Sequence, residues 1–233
     1  MLLKSKISEH QLSLDPVLNE KYQKARLGKF TASKISCCML PNGIGDGGLS
    51  YIRSRIWEDL SGVTSEKEIS TEEMQWGLQY ERDALTRFGE LKKLEYLLVQ
   101  RLVFEEGSKF GCTPDGLWIK GESGDKLSYE VSTVEVKCYQ PANHMKCVVC
   151  STPEEIKEKD FSAYCQTIMQ MDECGALVGY LCYFSPLLKQ GGFRVIEFRK
   201  INLIADFKLF NERKMQILKI YKQEKNVLLN IQN

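Results

Sequence analysis

The segment YEVSTVEVKCY, residues 129–139, restricts what this chain can fold into more than any other. It is rich in β-branched residues and alternates between apolar and polar side chains, the pattern of a strand. A period of two places Val134 and Val136 on one face and Glu135 and Lys137 on the other. Two readings of the charged face stay open at this point. Either the strand is half-buried with both charges in water, or the charges are aimed into a site. FGCTPDGL, residues 110–117, bears on the choice. Asp115 stands at a Pro–Gly bend beside another short strand, from which a carboxylate can be directed across a sheet. Carboxylates on two strands, with a lysine two residues after the second, are the groups that metal-dependent phosphodiester hydrolysis requires. They suit hard divalent cations such as Mg²⁺, which lower the pKa of bound water and offset charge growing on phosphorus. Lys137 can orient or activate the attacking water.

A third carboxylate lies in TEEMQWGLQYERDALTRFGEL, residues 71–91. Met74, Leu78, Leu85 and Phe88 recur at helical spacing, and at about 100° per residue Glu81 falls inside their stripe. A carboxylate on a core-facing stripe needs a cation or a strong donor. A salt bridge to a neighbouring Arg or Lys would serve, and a metal-site role is the favoured reading.

The formal net charge of +1 over 233 residues excludes a global field that would draw the chain to a polyanion. A nucleic acid must then be held by a local patch. Residues 1–35 carry seven basic side chains against three acidic ones. Within RLGKFTASKIS, Arg26 precedes Thr31 and Ser33 at the expected start of a helix, a natural phosphate site. No apolar run reaches the roughly 18 residues of a membrane span. The first residues lack an export signal, and nine cysteines read as reduced thiols of a cytosolic protein. HMKCVVC spaces His144, Cys147 and Cys150 by three, with Cys138 upstream. Zinc would want four such ligands, and buried core thiols are the favoured reading.

Helical patterns cover roughly 31–40, 49–60, 71–92, 160–174 and 203–230. Strand patterns cover 95–104, the neighbourhood of Cys112, 129–139, 176–184 and 193–199, with ESGDKLS (122–128) and LLKQGG (187–192) as turns. No linker divides the chain, so one mixed α/β domain over 1–233 is expected.

In order along the chain, RLGKFTASKI, WGLQYERDALTRF, FGCTPDGL, VEVKCY and AYCQTIMQM resemble the lambda-exonuclease branch, or YqaJ-type viral recombinases, of the PD-(D/E)xK nucleases. The resemblance spans residues 26 to about 171. It implies a restriction-endonuclease-like core, a central mixed sheet flanked by helices. It also implies a Mg²⁺-dependent 5′→3′ exonuclease, with Mn²⁺ as substitute, acting on double-stranded DNA ends. The 3′ single-stranded tails would serve homologous recombination by strand annealing, with a single-strand annealing protein as partner, in a phage, prophage or virus. Asp115 and Glu135 would be metal ligands, the Val136 carbonyl a third, and Glu81 the helix glutamate lining the metal. Lys137 would be the catalytic lysine and Gln166 the glutamine that orders the centre. Arg26, Ser33 and Thr113 would gather the 5′-phosphate. Asn143, near His144 and Lys146, stands where the family has a further arginine, which implies a milder demand for that phosphate. A ring-shaped homotrimer is implied too, with Lys24, Lys29 and Lys34 as candidates for its channel. Phe207, Phe210, Ile217 and Ile220 would serve either its packing or the chain's own core. An endonuclease for DNA or RNA on the same scaffold, or a non-catalytic nucleic-acid-binding module, are the alternatives.

Overall fold

The structure, a computed structural model, describes residues 7–11, 16–65, 71–94, 97–121 and 129–231. Its elements begin with β1 (Ile7–Gln11), α1 (Pro16–Arg26), β2 (Phe30–Thr31), a 3₁₀ helix (Ala32–Cys38), α2 (Asp46–Ser61) and α3 (Glu72–Lys92). Next come β3 (Leu98–Val99), β4 (Arg101–Val103), β5 (Phe110–Gly111), β6 (Gly116–Gly121) and β7 (Tyr129–Lys137). The last part holds α4 (Pro141–Val148), α5 (Pro153–Lys159), α6 (Phe161–Cys174), β8 (Val178–Phe184), β9 (Phe193–Arg199) and α7 (Ile204–Ile231). The main sheet has the order β3-β6-β7-β8-β9, with β7 and β8 parallel and the other pairs antiparallel. This is the expected mixed sheet flanked by helices.

The alternation along β7 decides the layering. Val134, Val136 and Cys138 pack with Tyr180 and Cys182 against Ala84, Leu85 and Phe88 of α3. The opposite face carries Thr133 and Glu135 toward α6, most of whose residues are buried. Close seating of α6 requires Gly179 on β8, because a Cβ there would stand 2.6 Å from the Met171 sulfur. Asp160 sets the entry of α6. One carboxylate oxygen accepts the Ala163 N–H at 3.1 Å, and the other accepts the hydroxyls of Tyr139 and Tyr183 at 2.7 and 3.0 Å.

The last helix straps this layer down. Phe207, Phe210, Ile217 and Tyr221 of α7 are buried in the main core, so the apolar stripe expected there serves the chain's own packing. Lys214 donates to Asp172 at 2.8 Å and to Glu173 at 2.6 Å, at the end of α6. Farther along, Lys225 and the Tyr221 hydroxyl reach Asp59 of α2, which also accepts from Lys109 at 2.5 Å.

Three expectations are corrected. The segment 31–40 opens as strand β2 and continues as a 3₁₀ helix, and α2 starts at Asp46, before residue 49. Met74 and Leu78 are exposed; Ala84, Leu85 and Phe88 are the residues of α3 that are buried, while Trp76 and Tyr80 pack part-buried against the same cluster. Within 95–104, the described residues form two strands, β3 and β4, in different sheets. Gln100 separates them with φ +50. Lys29, a channel candidate, donates to the Ser108 carbonyl at 3.0 Å with its ammonium over Phe104, which neither corrects nor supports that expectation. The 187–192 turn joins β8 to β9, closed by the Ser185 N–H donating to the Gly192 carbonyl at 2.7 Å. ESGDKLS lies outside the described residues.

Asp160 combines a helix cap with two part-buried tyrosine hydroxyls, so Asp160→Ala should destabilise the chain by about 2–4 kcal/mol. Urea denaturation would measure it, with a shifted midpoint at unchanged slope.

Candidate active site

β7 brings Glu135 and Lys137 to the α6 face. Glu135 is 3 % exposed, so this is not an amphipathic strand with its charges in water. One Glu135 oxygen accepts from Lys137 Nζ at 2.8 Å and from Gln166 Nε2 at 2.6 Å. The other accepts from Gln170 Nε2 at 2.6 Å. Lys137 Nζ also donates to Gln166 Oε1 at 2.9 Å, closing a triangle of Glu135, Lys137 and Gln166. Gln166 and Gln170 are four residues apart on α6 and therefore share a face.

Asp115 stands at the bend before β6, where its Oδ2 accepts the Val136 N–H at 2.7 Å. That bond ties the first carboxylate to the strand bearing the second. Glu81, on α3, accepts from Gln100 Nε2 at 2.6 Å. Its donor is thus a neutral amide and not the Arg or Lys of a salt bridge.

Facing these groups are the residues expected to gather phosphate. Arg26 ends α1, with its guanidinium over the Tyr22 ring at 5.3 Å and its Nε buried without a hydrogen-bond partner. The Thr113 and Tyr22 hydroxyls are 2.9 Å apart, and those of Thr31 and Ser33 are 3.5 Å apart. The Thr31 N–H is taken by the Tyr51 hydroxyl at 2.8 Å, so hydroxyls rather than that amide face the cleft. A left-handed Gly28, φ +67, turns the chain after Arg26, and its N–H donates to the buried Glu58 at 3.0 Å. Arg26, Ser33 and Thr113 line the same cleft as Glu81, Asp115 and Gln166, a space of about 200 Å³. Among the described residues three larger grooves border α3: those of about 580 and 600 Å³, beside the β8–β9 hairpin and beside β9, hold none of this carboxylate set, and one of about 480 Å³ shares Glu81 and Gln100 with the cleft but neither Asp115 nor Gln166.

Asn143 lies apart, exposed on α4. His144, Cys147 and Cys150 are buried, the two thiols within the main core. Among the described residues no three His, Cys, Asp or Glu side chains are grouped closely enough to hold a metal by themselves. Gln100, Gln170 and Tyr22 line the cleft but were not singled out from the sequence. For Gln170 a signal exists: it repeats Gln166 one helical turn on, within an otherwise apolar stretch. Gln100 gives only a polar residue inside an apolar run.

The electrostatics are lopsided. Burial, then the neighbouring Glu135 and Glu81, push the Asp115 carboxyl well above the usual carboxylate range, against the pull of Lys137 and the Val136 N–H. Burial also raises Glu81, partly offset by the Gln100 amide. For Lys137, burial favours the neutral amine and is the largest single influence, but the charge and hydrogen bond of Glu135 together with Asp115 and Asp160 outweigh it and the pKa is raised. Three carboxylates thus crowd one ammonium, and the remaining donors to them are uncharged. A carboxyl group raised in the folded state destabilises the fold once pH climbs past its unfolded value, and not at lower pH. Asp115→Asn, which keeps an acceptor for the Val136 N–H, should therefore stabilise the metal-free protein at neutral pH. The expected gain is on the order of 1–2 kcal/mol, roughly 2–6 °C in Tm, read from melting curves in chelator.

The profile of the YqaJ-like viral recombinase domain matches residues 21–175, which contain all of these groups. Among curated proteins none matches the sequence. The fold is similar to LHK-Exo in complex with dAMP, with TM-score 0.68 and 23% identity over 90% of this chain and 95% of that one. The alkaline exonuclease LHK-Exo from Laribacter hongkongensis aligns with TM-score 0.66 and 22% identity, over 91% and 96%. A phage-related exonuclease from Haemophilus somnus 129PT aligns with TM-score 0.61 and 16% identity, over 86% and 96%. These likenesses extend past residue 175, so the mixed sheet and its helices form a restriction-endonuclease-like fold along most of the chain. By its sequence, the chain belongs to the YqaJ-like viral recombinase domain family.

Proposed function

We propose that this protein is a metal-dependent nuclease that degrades double-stranded DNA from its ends in the 5′→3′ direction, leaving 3′ single-stranded tails for recombination by strand annealing. The observation that carries this reading is the shared cleft, where Glu81, Asp115 and Gln166 meet Arg26, Ser33 and Thr113. Family membership and the likeness of the fold to an alkaline exonuclease and a phage-related exonuclease support a nuclease acting on DNA.

Asp115 and Glu135 would hold the divalent ion, with the Val136 carbonyl beside them and Glu81 at the rim. The donor chemistry fits: Asp115, Glu135 and Glu81 offer hard carboxylate oxygens around one ammonium, and such oxygens completed by water suit Mg²⁺, with Mn²⁺ as substitute. When bound, such an ion supplies an acidified water and offsets charge on the phosphate. Lys137, fixed by Glu135 and Gln166, holds an ammonium where it can steady the attacking oxygen. Gln166 keeps Glu135 and Lys137 in register by bonding to both. The unpartnered Nε of Arg26, with the Thr113 and Ser33 hydroxyls, offers charge and donors to a terminal phosphate.

Asp115→Ala, Glu135→Ala and Lys137→Ala should each reduce degradation of linear duplex in Mg²⁺ by at least about 10³-fold, with circular dichroism unchanged. Turnover close to normal in any one of them refutes the assignment. Covalently closed circular duplex should survive while linear duplex is consumed, and cutting of the circle would favour an endonuclease. Ends bearing a 5′-phosphate should be degraded faster than 5′-hydroxyl ends, by a modest factor because Asn143 supplies no second guanidinium. Arg26→Ala should remove the difference.

A further inference from the structure

Gln100 is one of two non-glycine residues with positive φ among those described. The other, Lys93, ends α3 as its left-handed cap. Gln100 ends no helix, and a left-handed backbone costs such a residue stability unless its surroundings demand it. The pairing around it shows what is gained. Val99 pairs with Gly116 in the main sheet, and Val103 bridges Cys112 in the same antiparallel register. Gln100 therefore stands opposite Asp115, and Arg101 opposite Pro114, which has no N–H to give. Between the two paired ends the ladder is open, and the Gln100 N–H donating to the Asp115 carbonyl at 3.2 Å crosses the gap. The same residue's side chain donates to Glu81 Oε1 at 2.6 Å. Main chain and side chain of one residue thus grip the two carboxylate-bearing segments, α3 and the bend before β6.

We propose that Gln100 is a positioning residue that sets the Glu81 carboxylate relative to Asp115, and that its left-handed backbone exists to place the amide there. This rests on the nuclease reading of the cleft. The bond orients Glu81 while leaving its charge intact, as a cation site needs. An arginine or lysine there would hold the same oxygen but cancel the charge. A glycine would keep the backbone and lose the grip.

The test uses Mn²⁺ binding by calorimetry and melting in chelator, on the full chain. Gln100→Gly relieves the backbone at no steric cost, which offsets the lost bond to Glu81, so its melting temperature in chelator should stay close to that of the unmodified protein. Its Mn²⁺ dissociation constant should rise about tenfold, the size of effect expected for a lost hydrogen bond to a charged group. Gln100→Asn tolerates the left-handed conformation but is one methylene short, and should show the same weakening. The Mg²⁺ concentration giving half-maximal degradation should move with it. Mn²⁺ binding in Gln100→Gly equal to that of the unmodified protein overturns the proposal. So does a fall in chelator melting temperature in both variants with unchanged Mg²⁺ half-saturation, the mark of a merely structural residue. Asp115→Ala separates this outcome from failure of the nuclease reading. If that variant loses Mn²⁺ binding while Gln100→Gly keeps it, the cleft assignment stands and the inference about Gln100 falls. An unmodified protein that binds no Mn²⁺ refutes both.

Discussion

Burying an ionised carboxylate costs several kcal/mol unless its oxygens are given donors, and Glu135, at 3 % exposure, obtains them from one ammonium and two amides. Two of the three come from α6, so the site exists only if that helix lies close and at a fixed rotation against β7 and β8. The surrounding features serve that placement. Gly179 lets Met171 approach the sheet, Asp160 fixes the helix entry, and Lys214 clamps its exit. Asp115 then follows from β7 through the Val136 N–H, and Gln100 follows from Asp115.

Much of the site was legible because its chemistry forces exceptions to ordinary patterning. A glutamate and a lysine on one face of a strand, an aspartate at a Pro–Gly bend, and a glutamate inside an apolar helical stripe each contradict a simple core or surface, and the structure brings them together. The long helices α2, α3, α6 and α7 were readable to within a few residues because each runs several turns. α1, α4 and α5 were not read. α4 and α5 are too short to show a helical period, and each starts at a proline, which marks a boundary as readily as a helix. The break at Gln100 was invisible for a different reason. Its apolar run does form strands, and the left-handed residue between them is imposed by the partner segment 112–116, fifteen positions or so away.

The stripe on α3 shows the same limit from the other side. Periodicity identified the face of the helix but not how far along it burial extends. Met74 and Leu78 share that face with Phe88 and yet lie in solvent. Glu81 falls at the crossover from exposed to buried, partly desolvated but reachable, and an amide rather than a cation holds it.

The ionic clips of α7 have a consequence for how freely its sequence can vary. None of its residues lines the cleft, and it lies outside the stretch that carries the family pattern. Its tasks are to present apolar groups at helical spacing and two cations, Lys214 opposite Asp172 and Glu173 and Lys225 opposite Asp59. Very many sequences meet so loose a specification, whereas few meet the one set by Glu135 and its donors. A helix can thus govern the posture of Glu135 and its donors while leaving almost no recognisable signature, and the silence of the chain beyond residue 175 is the expected behaviour of a brace.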